Sequence, residues 1–78
     1  MKNVRNQHLI NALGQRVRNL RLQKKLSMER LAELSDIDYR QVSYVELGQT
    51  DASISTLSAL CKGLEISLAE LMDADELK

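Results

Sequence analysis

The sequence predicts an all-α domain of five short helices, and three observations carry that prediction. One helix-start pattern recurs in LSMERL (26–31), IDYRQV (37–42) and ISLAEL (66–71). Apolar residues between these points return at helical spacing. The 78 residues include no proline and three glycines, and β-branched or aromatic side chains are sparse outside 37–56. A chain of this size forms one small domain that buries only roughly 60% of its unfolded surface.

Leu9, Leu13, Val17 and Leu20, with Ile10 and Gly14 alongside, form an apolar stripe that places helix 1 over roughly 5–25. The three repeated patterns then start helices near residues 28, 39 and 68. In each, Ser27, Asp38 or Ser67 is placed to accept from free amides of the first turn, and a serine cap is worth about 1 kcal/mol. The flanking pairs Leu26/Leu31, Ile37/Val42 and Ile66/Leu71 occupy hydrophobic-staple positions, while Gln41 and Glu70 complete capping boxes. Asp36 falls in the short turn between helices 2 and 3, where a left-handed residue is expected and Asp enters that conformation more readily than most. Leu57, Leu60, Cys61 and Leu64 define helix 4, capped by Ser53 or Ser55. Gly48-Gln49-Thr50-Asp51 reads as the loop before it.

Several function classes fall away. A lone cysteine forms no internal disulfide and suits a reducing cytosol. No apolar run approaches the roughly 20 residues of a membrane span, and MKNVRNQHLI lacks a signal peptide's apolar core. His8 has neither a second histidine nor a nearby cysteine, so no metal or other cofactor is expected. No serine, histidine and acid form a recognisable catalytic set, and no glycine-rich phosphate loop occurs. A cytoplasmic non-enzyme without a small-molecule ligand is the expectation.

Net charge is zero, but its distribution is uneven. Residues 1–30 carry eight Lys/Arg against one acid, and residues 31–78 three against ten. Such asymmetry fits a basic binding face with an acidic opposite end, or simply solvated helix faces.

Helices 2 and 3, separated by a few residues, have helix-turn-helix dimensions. VRNLRLQKKLS leading into helix 2, LAELS…I…VSYVELG through helix 3, and TLSALCKGLEISLAELM at the end together resemble the phage-repressor and Cro-type (XRE-like) helix-turn-helix family. The resemblance covers about 13–72. It leaves 1–12 as an N-terminal extension belonging to helix 1 and 73–78 as a tail, with the helix-turn-helix at about 27–46. It implies a five-helix, lambda-repressor-like fold in which helix 3 enters the major groove of double-stranded DNA. It also implies a partly buried ion pair between Arg21, which interrupts the apolar stripe, and Glu46.

Helical geometry turns Val42 and Val45 inward and Arg40, Ser43, Tyr44 and Leu47 outward, with Tyr39 at the exposed tip. Tyr39, Arg40, Ser43 and Tyr44 are therefore the expected base-reading residues, although the tyrosines could instead cover the edge of the core. Arg40 suits a guanine edge, a contact worth about 1–3 kcal/mol of discrimination. Gln49, Thr50, Ser55 and Thr56, at the loop and the start of helix 4, are the expected phosphate contacts, because helix N-termini attract anions. Lys24 and Lys25 add long-range attraction or are ordinary solvated lysines. Against the family pattern, Met28 replaces a phosphate-binding glutamine, Asp36 the turn glycine, and Gln49-Thr50-Asp51-Ala52 a more basic, proline-containing loop.

The expected function is sequence-specific transcriptional regulation, with repression ahead of activation. A homodimer is expected through helix 5 and the tail, with the start of helix 1 as a second candidate surface. The sequence leaves open another class, a protein-interaction module such as an antitoxin or partner subunit. A serine at position 38 is expected to replace the aspartate without loss of stability or binding.

Overall fold

Each helix begins at a side-chain cap. The computed structural model describes residues 4–78, and the first three residues of the expected N-terminal extension lie outside that range. Asn6 caps α1 (Gln7–Gln23), Ser27 caps α2 (Met28–Ser35), Asp38 caps α3 (Tyr39–Glu46), Ser53 caps α4 (Ile54–Leu64), and Ser67 caps α5 (Leu68–Met72). A single 3-10 turn, Asp75–Leu77, follows. No strand occurs among the described residues. Ser53, not Ser55, starts α4, its hydroxyl accepting from Thr56 N at 3.1 Å.

Helix 1 is shorter at both ends than its stripe predicts. Asn6 accepts from Leu9 N and so stands outside the helix. At the other end Lys25 turns left-handed at φ 59°, and Leu26 N closes on Arg21 O at 3.1 Å. The same closure recurs at Asp36 (φ 56°), Gly48 (φ 70°) and Glu65 (φ 58°), where Ile37, Gln49 and Ile66 bond back to Ala32, Tyr44 and Cys61. This is the Schellman ending. It joins two motifs into one: Leu26, Ile37 and Ile66 each close one helix and then serve as the apolar residue before the next cap. All three pack against the core.

The capping boxes at α3 and α5 are only half made. Asp38 accepts from Arg40 N and Ser67 from Glu70 N, but neither Gln41 nor Glu70 returns a side-chain bond to its cap's amide. Gln41 is left exposed.

Val17, Leu31, Val42, Leu60, Leu64 and Leu71 lose all solvent contact, drawing one residue or more from every helix into one core. Leu9 does not join them; it stays exposed while Ile10 is buried. Within this core α1 packs on α3, and α2 on both α3 and α4. Gly14 sets the α1–α3 spacing, since a Cβ there would overlap the carbonyl oxygen of Val45 and lie 2.9 Å from that of Glu46. The short α5 is held from outside by Arg16, whose Nε donates to Leu71 O at 3.0 Å and whose Nη2 donates to Glu70 O at 2.8 Å. The tail folds back on α1, which leaves Leu77 half-buried and Met72 exposed.

Candidate nucleic-acid interface

Asp36 and Asp38 shape the entrance to α3. Asp36 takes the left-handed conformation that turns the chain from α2 into α3. Asp38 Oδ1 accepts from Arg40 N at 2.8 Å, satisfying a first-turn amide at the positive end of the helix dipole. That backbone bond, followed by the Arg40 side chain, holds the Asp38 carboxyl below the usual carboxylate range. A carboxylate engaged in this way is explicable on a helix that presents its tip to solvent.

Along α3, Val42 and Val45 point into the core while Tyr39, Arg40, Gln41, Tyr44 and Leu47 are exposed, and Ser43 is half-buried. The Arg40 side chain is 75% exposed, so its guanidinium projects beyond the protein surface. A shallow groove of about 430 Å³ runs between α3 and the start of α4. Gln41 and Tyr44 form one wall, and Thr50, Asp51, Ser53 and Thr56 form the other. The structure thus brings Tyr44, expected to read bases, to the same groove as Thr50 and Thr56, expected to hold phosphate. Gln49 and Ser55 are exposed beside it, and Tyr39 and Arg40 stand at the tip of α3, away from its lining. Thr56 is half-buried and its hydroxyl meets that of Ser53 at 3.1 Å, so its outward capacity is partly used.

Gln41 joins the outer face of α3 and not the cap of its helix. Its place three residues after a cap predicts a capping box, yet its side chain stands exposed between Arg40 and Tyr44. An unengaged glutamine amide on such a face has the donor and acceptor needed at an adenine edge. Met28 shows the opposite case. Where the family pattern has a phosphate-binding glutamine, this side chain packs against the core.

Two sets of side-chain hydrogen bonds tie α3 to α1, one buried at the end of α3 and one at the surface. Arg21 Nε donates to Glu46 Oε2 at 2.7 Å and Nη2 donates to Oε1 at 3.0 Å, while Nη1 donates to Leu26 O at 2.8 Å. The bidentate bond ties the end of α3 to α1 and, with the Glu46 charge, raises the Arg21 pKa against the opposing cost of burial. Gln7 Nε2 donates to Gly48 O at 2.8 Å and to Asn11 Oδ1 at 2.9 Å, joining the start of α1 to the loop after α3. No spacing rule in the sequence announces Gln7, because its partner lies 41 residues away.

Other candidates stay structural. Cys61 is buried on α4, and burial pushes its thiol up, away from reactivity. Among the described residues no cluster of three or more His, Cys, Asp or Glu is placed to hold a metal ion. No described helix is long and apolar enough to cross a membrane.

A short α2, a left-handed turn and an α3 with a solvent-facing outer row define a helix-turn-helix module. The chain matches the helix-turn-helix family model over residues 17–71 and belongs to that family in its XRE-type branch, a class of DNA-binding transcriptional regulators rather than enzymes. It is 37% identical over 65 residues to the HTH-type transcriptional regulator PuuR of Escherichia coli strain K12, a match covering 83% of this chain and 35% of that regulator. It is 35% identical over 66 residues to control protein C.SmaI of Serratia marcescens, covering 85% of this chain and 79% of that protein. Among solved structures, the restriction-modification controller C.AhdI of Aeromonas hydrophila superposes with a TM-score of 0.77 at 42% identity, covering 80% of this chain and 94% of that one. The controller C.Esp1396I, solved as a tetramer on its natural 35 base-pair operator, superposes with a TM-score of 0.77 at 28% identity, covering 81% of this chain and 83% of that one.

Proposed function

We propose that this protein is a dimeric, sequence-specific transcriptional repressor that lays α3 in the major groove and reads bases with Tyr39, Arg40, Gln41 and Tyr44. The observation that carries the reading is the outer face of α3. Four polar or amphipathic side chains are exposed there, next to a groove whose far wall begins α4. Gln49, Thr50, Ser55 and Thr56 supply phosphate contacts through hydroxyls, amides and the N-terminus of α4, without added positive charge. Ser43, half-buried, stands at the edge of that face. The controller proteins similar to this chain support the reading, since one of them is solved on operator DNA.

Arg40→Ala is the direct test. On duplexes selected by the wild-type protein from a randomised pool, the variant is expected to lose about 1–3 kcal/mol of preference at one base pair, with a smaller loss on random DNA at the same salt. Equal losses on both would reduce Arg40 to phosphate neutralisation. Unchanged binding by a folded variant would favour the protein-partner reading instead. A salt titration adds a second check, because phosphate neutralisation produces a steep log–log slope.

Dimerisation follows from the same reading. One recognition helix covers few base pairs, and two copies about 34–36 Å apart would meet successive major grooves. Met72 and Leu9 are exposed apolar residues on α5 and α1, the two elements proposed to form the interface. Sedimentation is expected to show dimer at on the order of tens of micromolar. Only monomer at that concentration would rule out a moderate-affinity dimer, and assembly would then have to occur on the DNA.

A further inference from the structure

The cap of the recognition helix makes a second contact that capping does not require. Asp38 Oδ1 accepts from Arg40 N at 2.8 Å and also lies 3.4 Å from Arg40 Nε. One carboxylate oxygen therefore meets both the backbone and the side chain of the residue two positions on. We infer that Asp38 is a positioning residue for base readout, holding the Arg40 guanidinium so that its outer edge faces the DNA. This rests on the proposed role of Arg40 and adds a specificity determinant to it.

The geometry suits that task. With Nε turned toward Asp38, Nη1 and Nη2 make no hydrogen bond within the described residues and form the free end of the planar fork. With Nε engaged, that is the edge left to reach guanine O6 and N7 together. An arginine left to itself samples many rotamers, and binding must select one; a guanidinium already steered by its neighbour loses less freedom. Both partners are exposed, 75% for Arg40 and 55% for Asp38, so the pair contributes little to folding. At 3.4 Å it is long, steering the group by charge while letting it adjust to the base.

Aspartate and serine at position 38 thus differ in a way the cap alone does not reveal. Serine Oγ can accept from the first-turn amide but carries no charge and reaches less far, so the cap survives and the steering does not. Asparagine keeps the reach but not the charge. Asp38→Ser and Asp38→Asn are expected to melt within a few degrees of wild type and to bind random duplex as tightly or more tightly, since a negative charge near phosphate is gone. On the selected duplexes, preference at the base pair read by Arg40 is expected to fall about two- to fivefold in Asp38→Ser, the scale of an exposed ion pair and less than the loss in Arg40→Ala. It is expected to fall less in Asp38→Asn. Adding Asp38→Ser to Arg40→Ala should then cost no further preference at that base pair.

Competition binding with duplexes substituted at each position, in these variants and Arg40→Ala, separates the outcomes. Loss of preference at the same base pair in Asp38→Ser and Arg40→Ala, without additivity, supports the inference. Full preference in Asp38→Ser alongside its loss in Arg40→Ala overturns it and leaves the DNA reading intact. Undiminished preference in Arg40→Ala overturns it by removing the residue through which Asp38 acts. No preference for any sequence by the wild-type protein overturns the sequence-specific reading and the inference together.

Discussion

Glu46→Ala is expected to bring the protein close to unfolding at room temperature. The substitution strands Arg21, which is 8% exposed and donates two hydrogen bonds to the lost carboxylate. Removing one member of a buried pair costs about 3–5 kcal/mol, because the remaining charge stays desolvated without compensation. A domain of this length has roughly 4–12 kcal/mol in all. The melting temperature should therefore fall by roughly 15–30 °C. Glu46→Gln, which keeps an acceptor but no charge, should fall between the two. Replacing both partners with apolar residues of similar size should recover much of the loss, since the pair's attraction only partly exceeds its desolvation cost. A melting temperature within a degree or two of wild type in Glu46→Ala would show that the pair is not buried in solution.

Gly14→Ala is expected to destabilise even though alanine is the better helix former. Propensity alone favours the alanine by about 1 kcal/mol. Against that, the added Cβ would overlap Val45 O and crowd Glu46 O, which are backbone atoms of α3 that no rotamer change can move. Overpacking of this kind costs about 1–3 kcal/mol, and the upper end applies where the obstacle is main chain. A net loss of about 1–2 kcal/mol should result once the propensity gain is set against it. The helices must also separate, which moves α3 relative to the rest of the domain. DNA affinity should therefore drop in Gly14→Ala even under conditions where the variant is fully folded, and a thermal melt together with a binding titration checks both effects. An equal or higher melting temperature would mean that α1 and α3 do not approach this closely.

Gly63 shows why such positions differ. Its added Cβ would overlap Ser35 Oγ, a side-chain atom on α2 that is buried and makes no hydrogen bond. A hydroxyl can rotate or be deleted; a carbonyl of the helix backbone cannot. Gly14 therefore constrains the spacing of α3, the element that would meet DNA, more tightly than Gly63 constrains α2 against α4.

The starts of α2, α3 and α5, the left-handed Asp36 and the inward turn of Val42 and Val45 were legible in the sequence alone. Each depends on interactions across a few residues, such as a side-chain oxygen reaching an amide two or three positions on, and a linear pattern records those directly. The pairing of Arg21 with Glu46 was implied only by resemblance to a family, since nothing local joins residues 25 apart. Lys25 and Glu65 are not legible as left-handed residues because neither is a residue type that favours that conformation; the Schellman bonds and packing of Leu26 and Ile66 hold them there. The use of Gln41 is not legible either, because a capping box and an exposed face share the same spacing, and only the completed helix shows its side chain left unengaged. Gln7 on Gly48, Arg16 on the last carbonyls of α5, and the groove that joins Tyr44 to Thr56 belong wholly to the tertiary structure. Their partners lie 12 to 55 residues apart, and they meet only because burial of Val17, Leu31, Val42, Leu60, Leu64 and Leu71 folds the helices onto one another.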